Sequence, residues 1–162
     1  MESYFELPQP DEISKTERED AMGAYLMMFA ALGAGLPLPM INLIASFVYY
    51  FLNRRKSRFV RFHVLQSLWS QLPVTLLNGF LVFWTIRIFV LQETFTQLWF
   101  GFLFAAFLAN VVYIAFSIYA AVLARKGQFY YFLFFGKLAY HQVFKQSVVQ
   151  ESTVQVENKP PI

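Results

Sequence analysis

The sequence predicts an all-α integral membrane protein: a helical bundle with three or four membrane-crossing helices and an interfacial C-terminal segment. Three observations predict it. The chain is 57% hydrophobic and 20% aromatic but only 14% charged, where a soluble domain carries about a quarter charged residues. No Asp, Glu, Lys or Arg occurs from Ala21 to Asn53, from Phe62 to Ile86, or from Thr94 to Ala124. A helix rises about 1.5 Å per residue, so about 20 apolar residues cross the ~30 Å hydrocarbon core. Finally, basic residues cluster at the ends of these runs, as they do in loops on one face of a membrane.

The 162 residues suit one compact domain. The expected organisation is a disordered tail over 1–13, a membrane-embedded helical domain over 14–145, and a disordered tail over 146–162. The first 20 residues carry seven acids, Glu2, Glu6, Asp11, Glu12, Glu17, Glu19 and Asp20. They lack the basic region of a cleavable signal, so the first apolar run is expected to stay as an anchor. Ser14-Lys15-Thr16-Glu17 fits a capping box and marks a helix start.

The first apolar run contains Gly33-Ala34-Gly35-Leu36-Pro37-Leu38-Pro39. Proline lacks a backbone donor and clashes with the preceding turn. The run is either one kinked span or a short hairpin of two helices, with Pro39 near the start of the second. The hairpin is preferred; it gives four helices and puts the N-terminus on the side of the basic loop.

That loop is Asn53-Arg54-Arg55-Lys56-Ser57-Arg58-Phe59-Val60-Arg61. A third helix follows from about residues 57–62 to Leu91, with Pro73 as a candidate kink and Asn78-Gly79 as a loosening point. Gln92 to Gln97 connects it to a last long helix over about Leu98 to Leu123. Gly127 is placed as its C-cap. Gln128 to Phe144 is rich in Phe and Tyr and is read as lying in the interface. The basic loop and Arg125-Lys126 are expected on the cytoplasmic side or its equivalent.

The stretch SRFVRFHVLQSLW, from Ser57 to Trp69, joins cations, rings, His63 and Gln66 where the chain enters the membrane. His63, Gln66 and Ser70 share one helix face. They form either a polar stripe for a partner or an ordinary interfacial anchor. Arg54, Arg55, Lys56, Arg58, Arg125 and Lys126 suit anionic headgroups and topology. Asn42, Gln71, Asn78 and Asn110 are amides inside apolar runs, read as helix–helix glue or a solute path. The absence of carboxylates inside the spans argues against an ion-coupled carrier. With no Cys and two isolated His, no metal site is expected. No catalytic constellation or cofactor motif is recognisable, and the rings sit within spans, so no nucleic-acid surface is expected.

The run from the first apolar segment through NRRKSRFVRFHVLQSL resembles the Tic-twenty family, the small membrane subunit of the chloroplast inner-envelope import machinery. It is more similar still to the bacterial membrane proteins of unknown function grouped with that family. These share a proline-broken apolar segment, a basic loop and a phrase like FVRFHxxQAL. Here Phe59, Val60, Arg61, Phe62, His63, Gln66 and Leu68 match, with Ser67 where Ala is usual. Lys126, Gly127, Tyr130 and Tyr131 match a second phrase, in which Phe132 replaces proline. The resemblance covers about Met22 to Leu138.

It implies a four-helix membrane fold and a part in protein translocation or membrane-protein assembly. Arg61, His63 and Gln66 are then expected to orient the third helix and contact a partner. The expected protein is non-enzymatic and multi-pass, in a bacterial inner membrane. Its expected partners are lipids and other membrane proteins, translocon or insertase subunits among them, or further copies of itself. A small-solute channel or carrier, or a structural accessory subunit, is the alternative.

Overall fold

The computed structural model describes residues 5–29 and 39–145. Every regular element among them is helical: α1 Lys15–Leu26, α2 Pro39–Asn53, α3 Arg58–Val90, α4 Gln97–Arg125 and α5 Leu133–Phe144, with 3-10 turns at Pro10–Glu12 and Met27–Phe29. The expected Gly33–Pro37 break and the tail from residue 146 lie outside the described residues.

Side-chain caps set the helix starts. Ser14 accepts from the Glu17 amide at 3.3 Å, and Glu17 accepts from the Ser14 amide at 2.9 Å, closing the capping box that starts α1. The Ser57 hydroxyl, then that of Ser14, holds the Glu17 carboxyl below the usual carboxylate range. A depressed carboxylate stabilises the fold above its unfolded pKa, and that contribution is lost as pH falls through the folded value. Ser14→Ala is therefore expected to cost about 1 kcal/mol, and Glu17→Gln to flatten the acid limb of thermal stability against pH. Melting curves in detergent between pH 3 and 7 measure both.

Pro39 opens α2, where its missing donor is harmless. Ser57 caps α3 and accepts from Val60, while Thr96 caps α4 and accepts from Trp99 at 3.2 Å. Pro73 lies inside α3, and neither it nor Asn78-Gly79 interrupts the helix. Gly127 ends α4 at φ 77°, with the Gln128 amide bonded back to the Leu123 carbonyl. That is the glycine cap expected from sequence. The same backbone position after α3 is held by Gln92 at φ 52°, with Glu93 donating to Ile88.

α3 and α4 are long and apolar enough to cross a membrane, with mean hydropathy 1.6 and 2.1 over their most apolar windows. Their far halves are bare: Leu76 is 72% exposed, Phe83 65%, Leu98 73% and Phe104 67%. An apolar exterior this continuous suits hydrocarbon and not water. The packed part lies at the other end. There α1 meets α4 through Ala21, Ala24, Ala120, Ala121 and Ala124, whose small side chains let the backbones approach, and α3 joins them through Phe59, Val60 and Val64. α5 packs on the first turns of α3 through Phe62, Leu65, Ala139, Val143 and Phe144.

Candidate functional site: a buried polar clamp beneath a basic face

Tyr25 of α1 and His63, Gln66 and Ser67 of α3 meet in the packed end of the bundle, all buried, with His63 and Gln66 at 0% exposure. Helical spacing puts His63, Gln66 and Ser67 on one face of α3. The Gln66 Nε2 amide donates to the Tyr25 hydroxyl at 2.7 Å, and that hydroxyl lies 2.9 Å from His63 Nδ1. Since Tyr25 Oη accepts from Gln66, the fewest polar atoms go unpaired if its own proton points at Nδ1 and the imidazole proton sits on Nε2. Phe59, Phe62 and Phe129 cage the imidazole, with ring centroids at 4.5, 5.1 and 5.7 Å. Ser67 donates to the Ala24 carbonyl at 2.7 Å. A neutral network this well buried holds α1 and α3 in register.

The other end of Gln66 has a different task. After Gly127 the chain folds back along α4 without regular structure, setting Tyr130 on Tyr119 and Phe132 on Phe116. Phe116 lies roughly 13 Å along α4 from its end by helical rise. Non-helical backbone at such depth is tolerated only where its polar groups find partners within the protein. Phe132 donates its amide to Gln66 Oε1 at 3.1 Å. One glutamine therefore bridges the first helix and the returning chain. Gly136 makes room: a Cβ there would meet Gln66 Oε1 at 2.7 Å.

Of the three residues expected to orient α3, the fold brings His63 and Gln66 together and keeps Arg61 apart. Arg61 is half-buried and lines a cavity of about 690 Å³ beneath the N-terminal segment, with Glu6, Glu12, Glu17, Lys56 and Arg58. The six residues expected at headgroups are all exposed. Several also make contacts within the chain. Lys56 pairs with Asp20 at 2.6 Å, Arg54 lies 5.0 Å from the Phe51 ring centroid, and Arg58 lies 3.5 Å from that of Phe5. The Phe5 amide in turn donates to the Phe144 carbonyl at 2.9 Å. Pro10 packs beside Gly127. The N-terminal segment, the basic loop and the Arg125-Lys126 turn thus gather at one end of the bundle, and the Arg87–Glu93 pair, at 3.3 Å, stands at the other.

Deeper in the bundle, Asn78 and Asn110 pair reciprocally at 2.9 and 2.8 Å, joining α3 to α4. Sequence reasoning named both amides but missed Tyr25 and the Phe132 amide. Tyr25 stands among apolar residues with no local mark of its role, and a backbone donor leaves no trace in sequence. No group of three or more His, Cys, Asp and Glu able to hold a metal occurs among the described residues.

Long apolar helices with bare exteriors and inward-turned polar side chains define a helical membrane protein. Residues 18–139 match the MamF/MmsF family, the magnetosome magnetite crystal formation proteins, and the chain belongs to that family. No curated protein and no solved structure matches the chain. The family match overturns the resemblance to the Tic-twenty family. The phrase that carried the resemblance, Phe59 to Leu68, is largely core packing in this fold: Phe59, Phe62, His63 and Gln66 are all buried there. Packing phrases specify an architecture rather than a task.

Proposed function

We propose that this chain is a non-enzymatic, multi-pass component of the magnetosome membrane that takes part in magnetite crystal formation. The observation that carries this is the family match over residues 18–139, which contains the clamp and both long helices. The Tyr25, Gln66 and Ser67 side chains of the clamp bond to one another and to backbone, as structural groups do, while His63 Nε2 is buried without a hydrogen-bond partner. The test is deletion of the gene in magnetite-forming cells, with electron microscopy of the crystals. Fewer or smaller crystals, restored by the wild-type chain, are expected. Unchanged crystals, with the protein fractionating in another membrane, would overturn the proposal.

In the topology we propose, α1 and α2 enter and return as a hairpin on the side of the basic loop. The Lys56–Asp20 pair supports it, since it ties the end of α2 to the start of α1. Arg54, Arg55, Lys56, Arg58, Arg125 and Lys126 then meet anionic headgroups, each worth about 1 kcal/mol. The chain has no Cys, so single-cysteine variants report cleanly. Glu6→Cys, Arg55→Cys and Lys126→Cys are expected to react with an impermeant maleimide from one side of sealed vesicles, and Gln92→Cys from the other. Labelling of Glu6→Cys from the side of Gln92→Cys would establish a single kinked span instead.

A further inference from the structure

A cavity of about 180 Å³ lies between α2, α3 and α4, lined by Asn42, Gln71, Thr75, Asn78, Asn110 and Tyr113 among its polar residues. Gln71, Thr75 and Asn78 fall in the middle of the charge-free run of α3, and Asn110 in the middle of that of α4. By position this is the centre of the bilayer. A polar cavity there is costly unless its groups are satisfied.

The Gln71 amide is not satisfied by the protein. Gln71 is 2% exposed, and neither atom of its amide makes a hydrogen bond. The Tyr113 hydroxyl lies nearby, beside Ser117, Ser70 and Gln71. A primary amide offers two donors and an acceptor oxygen with two lone pairs. The Asn78–Asn110 pair uses only part of its capacity, since Asn110 Nδ2 also donates to the Ala106 carbonyl at 2.7 Å while one Asn78 proton is left over. The cavity therefore presents unspent donors and acceptors together.

Its size and charge narrow the guest. A water takes about 30 Å³ of liquid, so there is room for several. No charged residue lines the cavity, so nothing offsets the desolvation of an ion. An apolar guest would leave Gln71 unpaired.

We propose that this cavity is a binding site for small uncharged hydrogen-bonding molecules, water foremost, built around the Gln71 amide. The site stands independently of any part in crystal formation, because it depends only on the bundle being in a membrane.

The experiment is water-edited solid-state NMR on the full-length, isotope-labelled protein in phospholipid vesicles. Polarisation transfer from water to the Gln71, Thr75 and Asn78 side chains is expected to exceed that to lipid-facing Val82 at least fivefold. Carbon-13 urea added to the same vesicles separates the two guests. A urea-to-Asn78 cross-peak assigns a neutral-solute site, and water transfer without it assigns a water site. Transfer no stronger than at Val82, with no urea cross-peak, overturns the proposal. Gln71→Leu gives a second readout: loss of water transfer at Asn78 with a lowered melting temperature is expected. A raised melting temperature would mean that the wild-type amide stands in a dry cavity, and would overturn the proposal as well.

Discussion

Gln66→Leu is expected to destabilise the folded bundle by about 2–3 kcal/mol, read from equilibrium unfolding in mixed micelles. Leucine nearly matches the volume of glutamine, so little of this comes from a cavity. The loss is polar. Phe132 keeps its buried amide proton without an acceptor, and the Tyr25 hydroxyl loses its donor. A stranded buried donor costs about 1–3 kcal/mol, and single interhelical bonds in membranes average lower because the unfolded chain also finds partners. Gln66 makes two such bonds, which puts the total toward the upper part of that range. Tyr25→Phe removes one of the same bonds, so the double variant is expected to fall short of the sum of the singles by about 0.5 kcal/mol or more. A Gln66→Leu chain as stable as the wild type would mean that the clamp does not hold the bundle together.

Gly136→Ala is expected to cost about 3 kcal/mol, through a single methyl group. Its Cβ would stand 2.6 Å from Tyr131 Cα, 2.8 Å from Tyr131 Cβ and 2.7 Å from Gln66 Oε1. Two of these atoms are fixed by the backbone, and the third already accepts a hydrogen bond, so none can yield cheaply. Overpacking of this kind costs about 1–3 kcal/mol, more where several neighbours must move. Gly79→Ala and Gly101→Ala are the controls. A Cβ at either meets nothing within 4 Å, and alanine is the better helix former by up to about 1 kcal/mol. Both are expected to be neutral or mildly stabilising. If all three substitutions behaved alike, the close approach of α5 to α3 would not exist in the membrane.

Much of the helical plan was legible because it is written in local chemistry. The capping box at Ser14, the uncharged runs of α3 and α4 and the glycine after Lys126 all act over a few residues. The span count was not legible, because it turns on how far a proline-broken segment penetrates, and tertiary contacts decide that. Arg61, His63 and Gln66 stood out as a polar phrase at a membrane entry. The phrase alone could not separate inward from outward, since His63 and Gln66 turn into the core and Arg61 toward the surface cavity. Tyr25 was invisible for the opposite reason: within an apolar run, a tyrosine that caps a polar network looks like one that faces lipid. The assignment to a translocation family failed because it rested on residues that serve packing.

The bond from Phe132 to Gln66 joins positions far apart in sequence, and so it orders events during synthesis. A chain that has emerged only as far as Gly127 can bring α1, α3 and α4 together, but Gln66 still has a bare carbonyl in the interior. The segment after Gly127 supplies the donor that this carbonyl accepts from. Until it arrives, the Gln66 amide has only one of its two partners in the bundle.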